Sequence, residues 1–217
     1  MCIIVWTEII MYEIPQGKSF QKFSTKDSIF FTAVRMFSDK GCQEVSMRDL
    51  AKEVGIRVAT IYSHYASKQD LLELIYDFYK NQWNKAKPNY DEILRGAQSL
   101  SPFETLNRLE WHFPPELQDT MNRIVIIAIS RLRCDEVSMR FVRELVMDGV
   151  SKPLTAVLER LVELGKIETP GIESFVSMYA YFCFGVAALD CTELGVSYDR
   201  LAGCQELIFS YIKPTGK

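Results

Sequence analysis

Gly55-Ile56-Arg57-Val58-Ala59-Thr60-Ile61-Tyr62-Ser63-His64-Tyr65, GIRVATIYSHY, holds one of the two histidines of the chain among small residues and aromatic and aliphatic hydroxyls. The spacing predicts a short helix, Val58 to Tyr65, with Ile61 and Tyr65 as an inward pair four residues apart. Arg57, Val58, Ala59, Thr60, Ser63 and His64 are then left outward or at the leading edge. Two chemistries compete for that surface: His64 as a general base, or a polar face laid against a partner. A short solvent-facing helix offers no pocket to exclude water, which acid–base catalysis needs, so the second reading is preferred.

The neighbouring sequence is punctuated by helix starts. Ser24-x-x-Asp27, Ser46-x-x-Asp49, Ser67-x-x-Asp70 and Ser101-Pro102-x-Glu104 each place a hydroxyl at an N-cap, with a carboxylate three residues on that can reach back to the cap amide. Gly41 and Gly55 follow apolar-periodic runs and are expected to end them in the left-handed conformation. The result is a helix from Thr25 to Lys40, a second from Met47 to Val54 and a third from Val58, the grammar of a helix-turn-helix unit.

From Ser67 a longer run keeps Leu71, Leu72, Ile75, Phe78, Tyr79 and Trp83 apolar up to a break at Pro88, and reads as a connecting helix. Helical patterning continues from Asp91 to Ala97, from Pro102 to about His112 and from Pro115 to Arg133. It resumes from Asp135 to Leu164, bent or broken near Gly149 and Pro153 and ended by Gly165. No alternating strand and no internal repeat is evident.

The expected fold is therefore all-α: an N-terminal three-helix helix-turn-helix module joined by a connecting helix to a larger helical body. Residues 1–22 form an N-terminal extension, 23–68 the module, and 69–217 the body. The segment Phe175 to Leu189 is apolar nearly all round but short of the roughly twenty residues of a membrane span. Its small residues Gly185, Ala187 and Ala188 would let a partner helix approach closely. A homodimer through helices at about 171–194 and 197–212 is the natural expectation, with plain core helices as the alternative.

Bulk composition is that of an ordinary globular protein, 48% apolar and 24% charged, with a net charge of −3. The charge is unevenly spread: Lys18 to Asp70 holds nine basic and six acidic residues, a local +3. A basic sub-region is what phosphate binding requires. The six cysteines include no CxxC pair and are not spaced with His64 or His112 for a metal site, so reduced thiols in a cytoplasmic protein are expected, with no metal and no cofactor. The apolar start, MCIIVWTEIIMYEIP, lacks the basic start and cleavage site of a signal peptide and is interrupted by Glu8 and Glu13. No GxGxxG, GxxxxGK[ST], GxSxG or HExxH occurs, and no catalytic residue is assigned.

AVRMFSDKG at 33–41, VSMRDLAKEVGI at 45–56 and ATIYSHYASKQDLL at 59–72 together resemble the DNA-binding module of the tetracycline repressor-like (TetR) family of transcriptional regulators. The run covers Phe30 to Leu72; the remainder of the chain shares only length, helix count and an apolar penultimate helix. The resemblance implies a dimeric repressor whose third helices enter successive major grooves of double-stranded operator DNA, released when a small effector binds the body. Arg57 is expected to pair with guanine edges, and Val58 or Ala59 to meet a thymine methyl. Thr60, Tyr62, His64 and Lys68 suit phosphate oxygens, Ser63 shares the outward face, Arg48 suits base or phosphate, and Ser46 with its neighbouring amides suits phosphate.

Three positions depart from the family pattern: Arg57 where a capping Ser or Glu is usual, Val58 where Lys or Gln is common, and Cys42 where an aromatic often stands. For the effector, an apolar or aromatic small molecule, the candidate lining is Trp111, His112, Phe113, Met121, Ile124, Met139, Phe141, Tyr179 and Phe182. A rival reading makes the chain a helical small-molecule-binding protein or enzyme in which the module only supports assembly.

Overall fold

The computed structural model describes residues 24–109, 113–168, 171–190 and 212–214. The extension 1–22, Trp111 and His112, and nearly all of the expected last helix at 197–212 lie outside them. The helix α1, Thr25–Lys40, starts at a complete capping box in which the Asp27 amide donates to Ser24 Oγ at 3.2 Å and the Ser24 amide to Asp27 Oδ2 at 3.2 Å. Helix α2, Met47–Val54, is capped in the same way by Ser46 and Asp49. Helix α3, Val58–His64, has Tyr65 as its C-cap, and α4 runs Lys68–Ala86 and stops before Pro88, whose ring disfavours a helical residue ahead of it.

Gly55 closes α2 in the left-handed conformation, at φ 76° and ψ 32°. Gly41 differs from the expectation. Its φ is 87° but its ψ is 134°, outside the left-handed helical basin and in positive-φ space that only glycine enters freely, so the chain leaves α1 extended.

Beyond α4 come α5, Tyr90–Gly96, α6, Pro102–Asn107, α7, Pro115–Ser130, and α8, Glu136–Glu144. Helix α6 is shorter than its pattern suggested, passing into turns at Arg108 and Leu109. After α8 the chain does not break. Leu145–Ser151 forms a π-helix that leads into α9, Lys152–Glu163. Pro153 explains it: the ring has no N–H for the Gly149 carbonyl and crowds it, and the ladder adjusts by widening, the Lys152 amide donating to the Met147 carbonyl five residues back.

Helix α10 is Ile172–Asp190. The sequence showed no strand, yet β1, Ile167–Glu168, pairs antiparallel with β2, Lys213–Pro214, Ile167 opposite Pro214. Two residues a side are too few to carry an alternating pattern. The architecture remains all-α.

Among the described residues, 24–85 with 113–142 pack as one unit, and 86–109 with 143–214 as another. In the first, α1 lies against α7 and α2, and α2 against α3. Its interior takes Ile29, Ala33, Val34 and Phe37 from α1, Leu50 and Ala51 from α2, Ile61 from α3, Leu71, Leu72 and Ile75 from α4, and Met121 and Ile124 from α7. In the second, the α9 stripe Leu154, Val157, Leu158 and Leu161 packs with Ile93 of α5, Leu106 of α6 and Phe175, Val176 and Tyr179 of α10. Lys166 braces that unit by donating from Nζ to the carbonyls of Gln98 at 2.8 Å and Leu100 at 2.6 Å.

Candidate nucleic-acid interface

Helix α3 is held from beneath at two points. Ile61 is wholly buried, and Tyr65 is buried with its hydroxyl donating to the Lys26 carbonyl at 3.0 Å, so the far end of α3 is tied to the first turn of α1. That leaves Arg57, Ala59, Ser63 and His64 exposed, Val58 and Thr60 half-buried, and Tyr62 with half its surface in solvent. A tyrosine at 51% exposure is a group presented outward, since burial would have stabilised it by about 2 kcal/mol. Arg57 occupies the N-cap of α3 without making a side-chain capping bond. The guanidinium is therefore not spent on its own helix.

The remaining candidates separate into two kinds. Arg48 is exposed in the first turn of α2, beside the leading edge of α3 in sequence. Ser46 is exposed as well, but both its donors are taken by Asp49: the amide at 2.9 Å and the hydroxyl at 2.6 Å. The Ser46 hydroxyl and amide bonds hold the Asp49 carboxyl below the usual carboxylate range. A carboxylate thus already sits where phosphate was expected, and the α2 N-terminus is neutralised from within the chain.

Lys68 departs furthest from its expected role. Its ammonium donates to three backbone carbonyls in the turn between α1 and α2, Cys42 at 2.7 Å, Val45 at 3.1 Å and Gln43 at 3.4 Å. Three donors on one ammonium match those acceptors in number, and none is left for a phosphate. Lys68 is a clamp on the turn that precedes α2. Lys68→Ala is expected to lower the melting temperature while leaving the salt dependence of DNA binding unchanged; Arg48→Ala should reduce that salt slope by about 1. Binding titrations across a salt series, with thermal melts alongside, distinguish the two.

Helices α7 and α8 secure the same unit. Arg123 on α7 donates from Nη1 to Asp39 and to Ser38 Oγ at 2.8 Å near the end of α1, and from Nε to Asp119 at 2.8 Å. Ahead of α8, Asp135 accepts from Arg131 Nε at 2.7 Å and from the Ser138 amide at 2.7 Å, and Ser138 Oγ is 2.7 Å from the Tyr76 hydroxyl on α4. Burial would raise the Asp135 carboxyl, but the Ser138 and Arg131 bonds outweigh it and hold it low. Cys42 is buried beneath this network, which pushes its thiol up, although Arg131 and Lys68 oppose the shift. That suits an inert packing thiol.

Residues 29–75 match the family model for bacterial regulatory proteins of the tetR family. That stretch of the chain is a tetR-family DNA-binding module. Among its relatives, the biofilm operon icaADBC HTH-type negative transcriptional regulator IcaR of Staphylococcus aureus is 35% identical over 71 residues, 30% of this chain and 38% of that protein. The HTH-type transcriptional repressor KstR2 of Mycolicibacterium smegmatis is 33% identical over 90 residues, 41% of each chain. The matches thus span about two fifths of the length of those relatives. Solved structures carry the fold further: the ketosteroid transcriptional regulator KstR2 of Mycobacterium tuberculosis superposes with a TM-score of 0.56 at 20% identity, over 89% of this chain and 97% of that one. The TetR family transcriptional regulator PfmR of Thermus thermophilus gives 0.57 at 21%, over 89% and 100%.

The described members of the expected effector lining belong to two packing units. Phe113, Met121, Ile124, Met139 and Phe141 belong to the unit that holds α3, and Tyr179 and Phe182 to the other. Met121, Ile124 and Tyr179 are core residues, at 1%, 0% and 4% exposure, and Met139 faces solvent at 43%. What the sequence reading missed is a ring cluster along α4. Tyr76 stacks on Phe141 at 4.4 Å, Tyr79 meets Phe141 edge-on at 5.2 Å and Phe113 at 5.9 Å, and Trp83 lies 6.0 Å from Tyr79 and 6.2 Å from Phe113. The signal was present as Tyr76, Tyr79 and Trp83 at spacings of three and four on one helical face.

Proposed function

We propose that this protein is a ligand-responsive DNA-binding transcriptional regulator, a repressor released from its operator by a small molecule. The single observation that carries the reading is α3 itself: Ile61 and Tyr65 anchored below, with Arg57, Ala59, Tyr62, Ser63 and His64 presented to solvent on a tetR-family module. The names of IcaR and KstR2, a negative regulator and a repressor, support the same class. Arg57 and Val58 read bases at the entry to the helix, while Thr60, Tyr62 and His64 hold phosphates.

In this reading residues 23–68 contact DNA and 69–217 serve effector binding and dimerisation, with α4, α7 and α8 bracing the DNA-binding module through the contacts described above. Two copies pair through α10 and the helix expected at 197–212. The outward side chains of α10, Tyr181 at 74% and Met178 at 39% exposure, and the open space beside Gly185 support that pairing. Pairing places two α3 helices in successive major grooves, about 34–36 Å apart or a multiple of it. None of the described helices is long and apolar enough to cross a membrane, and a cytoplasmic site of action is part of the proposal.

The test is selection of bound DNA from a genomic pool by the full-length protein, followed by competition with single-base variants of the site. Arg57→Ala is expected to cost about 1–3 kcal/mol and to relax preference at one base pair of each half-site, whereas Tyr62→Ala weakens every sequence alike. Failure to enrich any sequence at low salt would refute the reading.

A further inference from the structure

Tyr79 is buried at its ring and at its hydroxyl, and that hydroxyl has no hydrogen-bond partner among the described residues. Its neighbour one turn away shows the ordinary solution, the Tyr76 hydroxyl being satisfied by Ser138 Oγ at 2.7 Å. An orphaned phenol is destabilising, and phenylalanine would fill the same space without leaving a buried donor unpaired. The rings around it grade from buried to accessible. Tyr76 and Phe141 are closed in, and Trp83 and Phe113, the outer pair, are half-buried.

We propose that Tyr79 is the polar anchor of the effector site, donating its hydroxyl proton in a hydrogen bond to an acceptor oxygen, carbonyl or hydroxyl, of a flat, neutral, mainly apolar effector lying against Trp83 and Phe113. The inference rests on the effector part of the proposed function and gives it a location and a chemical class. Neutrality follows from the described surroundings: burial pushes the Tyr79 phenol up and no charged side chain among the described residues acts on it, so an ionised ligand would meet no counter-charge from them. Flatness follows from the ring cluster itself, in which Trp83 lies nearly parallel to Tyr79, at 25°, an arrangement that a planar group continues.

The experiment uses the full chain, its Tyr79→Phe variant and two probes of similar size, 2-acetylnaphthalene and 2-ethylnaphthalene, in calorimetric titrations. The parent is expected to bind the ketone about tenfold more tightly than the hydrocarbon, the contribution of one buried hydrogen bond. Tyr79→Phe should bind both alike, and without ligand should melt at or above the parent temperature because an unsatisfied hydroxyl has been removed. A lower melting temperature for ligand-free Tyr79→Phe would show that the hydroxyl is already satisfied and overturn the proposal. Equal binding of the two probes to the parent, no binding of either, or a ketone preference that survives the substitution would do the same. Operator binding by the parent is measured separately without ligand. A parent that binds no DNA defeats the proposed function and leaves the ketone preference standing.

Discussion

Phe141→Ala will remove about 3–5 kcal/mol of stability, seen as a lower urea midpoint and a melting temperature reduced by roughly 10 °C. Phe141 is 2% exposed, and its ring is shared by two tyrosines of α4, flat against Tyr76 and edge-on to Tyr79. Deleting it leaves a void that neither partner can fill, because Tyr76 is fixed through its hydroxyl to Ser138 and cannot slide inward without breaking that bond. A loss below about 1 kcal/mol would show that α8 can repack against α4, and that the ring cluster is a looser structure than its distances imply.

Arg131→Ala is the second large effect, expected to cost about 3 kcal/mol at neutral pH. The pair it forms with Asp135 is largely removed from water, the two side chains retaining 12% and 16% exposure, and the substitution strands a carboxylate rather than eliminating a pair. Its pH dependence is specific. Asp135 titrates below its ordinary value in the folded protein, so its contribution is present above about pH 4, where the unfolded chain is ionised, and is lost as pH falls through the lower folded value. Denaturation midpoints down the acid limb should therefore fall for the parent, fall from a higher pH for Arg131→Ala, and flatten for Asp135→Asn. An unchanged acid limb in Asp135→Asn would assign the dependence to other carboxylates.

The helix boundaries were readable because the signals that set them are local. A cap reaches three residues, and the Ser24–Asp27, Ser46–Asp49 and Ser101–Glu104 boxes form as their spacing implies. At Ser67 only the half that the hydroxyl makes with the Asp70 amide is seen, and α4 starts there all the same. The uncapped Arg57 was legible for the same reason.

Contacts made at long separation were not. Lys68 reaches carbonyls 23 to 26 residues back, and Arg123 reaches Asp39 from 84 residues on. A lysine at the edge of a DNA-binding module looks the same in sequence whether it faces phosphate or its own backbone. The effector candidates were ambiguous for a different reason. Apolar and aromatic side chains serve a pocket and a core equally well, and Met121, Ile124 and Tyr179 went to the core. The orphaned hydroxyl of Tyr79, which distinguishes the two uses, exists only once the chain is folded.

The π-helix at Leu145–Ser151 bears on how this chain can change over generations. The extra residue accommodated there sets the phase of everything that follows, and Leu154, Val157, Leu158 and Leu161 face their core because of it. Removing one residue would turn that stripe by about 100°, carrying four core residues toward solvent, and adding one would turn it as far the other way. Length variation between homologous chains should therefore accumulate in the turns after Gly96 and Gly165 and avoid the stretch from Leu145 to Leu161, where a single-codon deletion is as disruptive as several core substitutions made together.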